Sequence, residues 1–282
     1  MMTAPRFAHC ATLQAIGLLL IAQSALGQSP SASPRPSVEL HLWGSYTAFS
    51  GDATASGTKS ASGLRSLDVA FWPSQALRLF AGYENSLSLE NLTLIRSNRA
   101  VPLYRAGAMA NWGGHFTTIV DGGHRSLPGD VSQNLVGLEQ VAYLASGTAL
   151  KAGAQVGVRS DHRTEWVGHV GVNAAAGERL RFEPTVFVAR SGLPGESQWR
   201  ALLSSEYRPG REVSLTAGLA AGRNKSFDGA YTGTVLDAHL KATASIGGMN
   251  RAHVLIRHER VAGAQPFTTV AMGLSLVATR VR

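Results

Sequence analysis

Cysteine is nearly absent: Cys10 is the only one in 282 residues. No intrachain disulfide can form, and no cysteine-based metal site can be built. Charge is sparse at 16%, and aromatic residues make up only 7%. The chain also lacks any long apolar run beyond its first few turns, and its mean hydropathy is near zero. That mean is too polar for a bundle of membrane helices, yet it suits strands that are apolar on one side only. Glycine, by contrast, is abundant, with 31 residues.

The one apolar run, ATLQAIGLLLIA at 11–22, follows Arg6 and His9 and precedes Ala25-Leu26-Gly27. This is the layout of a secretory signal with a small-x-small cleavage site. Residues 1–27 are expected to be a cleaved signal peptide, and Cys10 leaves with them. Of 26 basic residues only Arg6 is lost, so 25 remain against 18 acidic ones, a formal +7. A basic excess points to anionic partners, or to loops lying over phosphate-bearing lipid. Residues 28–37, QSPSASPRPS, read as an extended periplasmic tether.

From Val38 onward the recurring period is two. Leu236, Ala238, Leu240, Ala242, Ala244 and Ile246 share one face; Asp237, His239, Lys241, Thr243 and Ser245 share the other. Alternation of this kind is that of a strand with one apolar and one polar side. Strands are expected at 38–50, 61–73, 76–88, 101–112, 115–126, 132–144, 148–160, 164–175, 179–191, 196–208, 212–224, 232–246, 250–261 and 266–280. The count is about fourteen, with twelve or sixteen as alternatives. Segment 132–144 alternates poorly, because Glu139 would sit among Leu135, Gly137 and Val141.

Loop lengths alternate as well. Short joins such as Gly113-Gly114, Pro209-Gly210 and Gly247-Gly248 interleave with longer ones such as 51–60, 91–100 and 224–231. Long loops on one side and tight turns on the other are the pattern of an outer-membrane barrel with its turns in the periplasm. Tyr104, Trp166, Trp199 and Phe267 fall at the long-loop ends, and Trp112, Phe116, Tyr143 and Tyr207 at the short-turn ends, as two interfacial girdles would. The expectation is an all-β, closed antiparallel transmembrane barrel over 38–282, in a bacterial outer membrane. Its partners would be outer-membrane lipid and lipopolysaccharide and the barrel-assembly machinery, with no nucleic acid.

If Leu240 and Ile256 face lipid, charged residues of the opposite parity face the lumen. Among these are Arg105, Lys151, Arg181, Arg200, Lys241 and Arg257, on six strands, opposed by carboxylates including Asp68, Glu183, Glu206, Asp237 and Glu259. An open lumen so lined would show a modest anion preference, weakened wherever a cation is tied to a carboxylate. Gly107, Gly153, Gly157, Gly171, Gly218 and Gly222 point inward too. They either leave room for water or a ligand, or let a large side chain lie against the wall.

The run LRSLDVAFWPSQALRLFAGYENSLS at 64–88, with its long following loop and the Tyr104–Trp112 strand, resembles the YaiO-like outer-membrane β-barrels. The resemblance implies a barrel linked to envelope or exopolysaccharide traffic; an anionic solute or polysaccharide is a separate partner expectation. One departure is the ending Thr279-Arg280-Val281-Arg282, where such strands commonly finish on an aromatic residue.

Two classes of function follow. One is a non-catalytic conduit or docking component; the other is a hydrolase of lipid or peptide with a site at the extracellular rim. For the hydrolase the candidates are Asp121 with His124, and Asp161 with His162 and Glu165, where an imidazole beside carboxylates would act as general base. A serine with the lipid-facing His258 is a further arrangement. Against them stands the ordinary polarity of any barrel rim. GDATASGTKS at 51–60 imitates a phosphate loop without its flanking unit and reads as a plain loop. His253 and His258, five apart, point to opposite faces of a strand and cannot share a metal. No metal or cofactor is expected.

Overall fold

A computed structural model of the chain describes residues 37–49, 60–86, 101–127, 131–144, 147–190, 197–225, 232–261 and 266–279. The expected signal peptide, residues 28–36 of the tether, residues 51–59 of the phosphate-loop lookalike and the tips of the long loops lie outside the described residues.

Fourteen antiparallel strands close into one barrel. They are β1 (Ser37–Phe49), β2 (Ser60–Ser74), β3 (Leu77–Ser86), β4 (Val101–Trp112), β5 (Phe116–Leu127), β6 (Val131–Tyr143), β7 (Ala149–Arg159), β8 (Thr164–Ala176), β9 (Leu180–Arg190), β10 (Ser197–Tyr207), β11 (Val213–Lys225), β12 (Thr232–Gly247), β13 (Asn250–Val261) and β14 (Phe267–Thr279). Each strand pairs with its neighbours in sequence. Closure is made by β1 against β14, in register from Ser37↔Thr279 to Phe49↔Phe267. Closure leaves no unpaired sheet edge, the condition for strands to sit in hydrocarbon.

The two-residue period sorts side chains by face. Outward positions carry exposed apolar residues, among them Val136, Leu138, Val156, Val170, Leu219, Leu240 and Met272. Leu219 and Met272 are about as exposed as side chains on an open surface, 65% and 66%. So broad an apolar coat is a lipid-facing surface, not a soluble one. Inward positions bury Asp68, Glu84, Glu139, Lys151, Arg200, Asp237 and Glu259. The awkward segment 132–144 obeys the rule: Glu139 points inward with Leu135 and Val141, while Val136 and Leu138 face out.

The girdles need one correction. Tyr104, Trp166 and Trp199 at one end, and Trp112, Phe116 and Tyr207 at the other, are exposed on the outer face. Phe267 is buried, and Tyr143 turns inward to within 3.1 Å of the Thr117 hydroxyl. Parity places these two in the lumen, and position near a strand end cannot override it.

Tight turns close one end. At Gly247 and Gly248, φ values of 125° and 58° demand consecutive left-handed residues that side chains rarely adopt. Part-way along the β1–β2 pair, a register shift at Trp43 and Gly44 leaves Arg65 as an extra residue beside Ser66. Such bulges re-aim side chains; here Arg65 comes within electrostatic reach of Glu84, Asp237 and Arg257.

Candidate functional site

The lumen is built by pairing a glycine with a large neighbour. Asp68 and Arg105 stand directly across from Gly82 on either side, and they join over it in a 3.0 Å ion pair. Glu139 and His169 flank Gly153 in the same way and meet at 2.8 Å. Trp43 and His253 flank Gly273, and their rings stack at 5.2 Å. A Cβ on Gly218 would collide with His239, and one on Gly171 would lie 2.6 Å from Lys151. The inward glycines therefore serve as seats for large side chains from neighbouring strands, the second of the two roles open to them.

Toward the long-loop end these side chains form two linked networks. In the first, Arg125 donates to Gln133 (3.3 Å), Gln133 to Glu165 (2.7 Å), and Arg159 to Glu165 (3.2 Å). Arg159 also grips Asp161 through two hydrogen bonds of 3.0 and 2.8 Å. In the second, Arg257 pairs with Asp237 and, at 2.6 Å, with Glu259. Arg200 approaches Glu259 at 3.9 Å from three strands away. Glu84 lies within electrostatic reach of Arg65, Arg105 and Arg125 and so joins the two networks. Several of these groups are almost inaccessible: Arg125 1%, Glu259 2%, Glu84 3%, Arg200 4%.

The second network matches four cations, Arg65, Arg105, Arg200 and Arg257, with four carboxylates, Asp68, Glu84, Asp237 and Glu259. Burying ions is costly unless they are paired and hydrogen-bonded. Glu84 Oε2, Arg105 Nε, Arg200 Nη1 and His239 Nε2 are buried without a hydrogen-bond partner in the protein. Polar atoms in such positions are normally satisfied by ordered water. The inward face of the loop half is thus a charge-balanced network of buried side chains.

The tight-turn half is polar as well: Lys151, Thr243 and His253 are buried there, while Glu39 and His41 keep 21% and 27% side-chain exposure. Its ion pairs are Glu39 with Arg78 (3.2 Å), Lys151 with Glu183, and Arg208 with Glu206 (2.9 Å). Arg181 stands across from Glu206 in the β9–β10 register, and Glu206 also acts electrostatically on Lys241.

All six cations singled out from the sequence, Arg105, Lys151, Arg181, Arg200, Lys241 and Arg257, share the inward parity, and four hold a carboxylate directly. The rim candidates do not assemble. Asp121 points inward over Gly137, whereas His124 is exposed on the outer face and sits 2.9 Å from Asn134. Three residues apart on a strand, they lie on opposite sides of the wall. Asp161 is engaged by Arg159, and His162 turns to solvent at φ 64°. His258 faces outward beside Thr268 at 3.0 Å. It lines a shallow apolar groove of about 460 Å³ with Ser205, whose hydroxyl turns to the Ala217 carbonyl at 3.5 Å. Asp161 lies outside the spanning strands, between β7 and β8. Slight burial would raise its carboxyl, but the hydrogen bonds and charge of Arg159, with those of Arg163, hold it below the usual carboxylate range.

A closed fourteen-stranded sheet with an apolar exterior and a charged interior defines a transmembrane β-barrel. Comparison with solved structures agrees. The chain is similar to a bacterial polysaccharide outer membrane secretin, at 12% identity and TM-score 0.58, covering 87% of this chain and 98% of the other. It is also similar to the CymD monoaromatic hydrocarbon channel, at 8% identity and TM-score 0.60, with 99% and 95% covered. The toluene transporter TodX of P. putida matches at 13% identity and TM-score 0.53, with 90% and 92% covered. At such identities the likeness is one of fold. No family model and no curated protein matches the chain, so the resemblance to YaiO-like barrels stands on the quoted residues alone.

Proposed function

We propose that this barrel is a conduit for polar solutes across the bacterial outer membrane, latched at its loop half and associated with envelope or exopolysaccharide traffic. The observation that carries the reading is a closed barrel whose inward face is lined from end to end by paired charges and hydrogen-bonded polar groups. Buried ions would be an expensive lining for a hydrocarbon path. They suit a hydrated, hydroxyl-rich or ionic cargo, which is the chemistry of the polysaccharide named for one structural neighbour.

Anion preference follows only in a weak form. Arg105, Lys151, Arg200 and Arg257 are neutralised where they stand, and Arg181 and Lys241 have Glu206 as their neighbour. The test is planar-bilayer conductance of the refolded protein beside an Arg200→Gln/Glu259→Gln variant. The parent should conduct weakly or intermittently and the variant more steadily, with reversal potentials near zero in a salt gradient. Silence from both, with each folded by gel mobility, would remove the conduit reading.

A further inference from the structure

Near the tight-turn mouth, five side chains form an unbroken polar chain that passage of solute does not require. His41 of β1 and Ser275 of β14 are register partners, and His41 Nδ1 lies 2.8 Å from Ser275 Oγ. From the other side His253 Nε2 approaches the same oxygen at 2.8 Å. Behind it, Thr243 Oγ1 stands 3.0 Å from His253 Nδ1. At the opposite end His41 Nε2 is 3.5 Å from Glu39 Oε2. Glu39 is itself fixed, receiving Trp72 Nε1–H at 2.8 Å and two Arg78 N–H groups at 3.2 and 3.3 Å.

The acid end dictates where the protons sit. An ionised Glu39 can only accept, so His41 presents Nε2–H to it and leaves Nδ1 bare. Ser275 then donates its hydroxyl proton to His41 Nδ1. The serine oxygen in turn accepts Nε2–H from His253, whose Nδ1 accepts the Thr243 hydroxyl. Each imidazole and the serine thus has one donor and one acceptor role, with no conflict along the chain. The rings are held as well: Trp43 lies on Gly273 and stacks on His253 with an interplanar angle of 22°.

We propose that Ser275, His41 and Glu39 are a nucleophile, general base and orienting carboxylate that cleave carboxylic esters inside the barrel. Arrangements of this kind are recognised by geometry and role, not by order in the chain. Ser275 Oγ attacks the ester carbonyl carbon as its proton passes to His41 Nδ1, and Glu39 steadies the imidazolium. The carbonyl π pair moves onto oxygen near Arg251, the register partner of Ser275, while His253 Nε2–H stays on the serine oxygen. Collapse breaks the carbon–oxygen bond to the leaving alcohol, which takes the proton from His41. Water, deprotonated by the same nitrogen, then attacks the acyl group; the acid leaves and Ser275 recovers its proton. Glu39 and His41 keep partial exposure, whereas Ser275 is 9% exposed, so substrate would enter from the tight-turn mouth along His41. This inference goes beyond the conduit reading and does not depend on it.

The test is labelling of the refolded, full-length barrel with a fluorophosphonate, which forms an Oγ–P bond and expels fluoride. Heat-modifiable gel mobility serves as an independent check of folding. Ser275 should carry the label, and Ser275→Ala should lose it. His41→Gln should slow labelling, and hydrolysis of p-nitrophenyl butyrate, by on the order of 10²–10⁴-fold, the range that a positioned general base supplies. As a second probe, Ser275→Cys in a Cys10→Ser background should react with iodoacetamide faster when His41 is intact than when His41→Gln is added. A folded parent that takes no label, or one labelled equally well after His41→Gln, would overturn the proposal.

Discussion

Glu139 and His169, on strands that do not touch, close a 2.8 Å contact over the bare backbone of Gly153. The glycine makes the bond geometrically available. A side chain on the intervening strand would occupy the space through which they meet.

Gly153→Ala should therefore destabilise the barrel. The added methyl would lie 2.9 Å from the Leu138 carbonyl oxygen and collide with the His169 ring. Overpacking of this kind typically costs about 1–3 kcal/mol. The outward Gly122→Ala change meets only the Leu135 carbonyl oxygen at 3.7 Å, ordinary contact distance, and should be near neutral. Urea unfolding in lipid vesicles separates the two; equal midpoints would show that the seat carries no packing constraint.

Arg257→Gln should be more damaging than loss of a surface charge. It leaves Asp237 and Glu259, with side chains only 4% and 2% accessible, facing each other without their shared cation. Removing one partner of a buried pair costs on the order of 3–5 kcal/mol. Adding Glu259→Gln should recover part of that loss, a coupling that a double-mutant cycle measures directly. Strict additivity would mean that the two groups do not interact.

Asp161 supplies a prediction in pH. Its carboxyl is depressed despite slight burial, chiefly by Arg159 and then by Arg163. Its contribution to stability is therefore present above the unfolded value of about 3.9 and is lost as pH falls through the lower folded value. Carboxyl-carbon NMR of the barrel in micelles should find the Asp161 midpoint below about 3.9, and Arg159→Gln should move it upward. A midpoint unaffected by that substitution would contradict the assigned cause.

Orientation can be read with single cysteines, because Cys10 is the only native one. In a Cys10→Ser background, Thr164→Cys at the long-loop end should react with an impermeant maleimide on intact cells. Glu178→Cys, in a tight turn, should react only after the outer membrane is opened. The reverse pattern would invert the barrel.

The strands are legible in the sequence because a two-residue period needs no knowledge of partners. Segment 132–144 reads poorly only because nothing nearby explains why Glu139 should be inside. That reason, His169, lies on another strand beyond an intervening glycine. Parity alone separates Asp121 from His124, since an odd spacing divides any strand pair, and it places Phe267 and Tyr143 in the lumen. The contact between His41 and Ser275 is out of reach. They are 234 positions apart, and only closure of the first strand on the last brings them together. No local pattern marks either one.

The β1–β14 seam also sets the order in which the protein can come into being. The strand made first has a partner that is made last, so the early sheet must wait with its edge open while the remaining chain is added. In hydrocarbon, each unsatisfied backbone group on that edge would cost several kcal/mol. A half-built wall cannot simply sit in the bilayer and grow strand by strand. Either the sheet forms largely before it enters, or another protein lends it a temporary edge until Ser37 can find Thr279. Deleting β14 should accordingly prevent insertion altogether, because it strands β1 and β13 together rather than leaving a slightly smaller barrel.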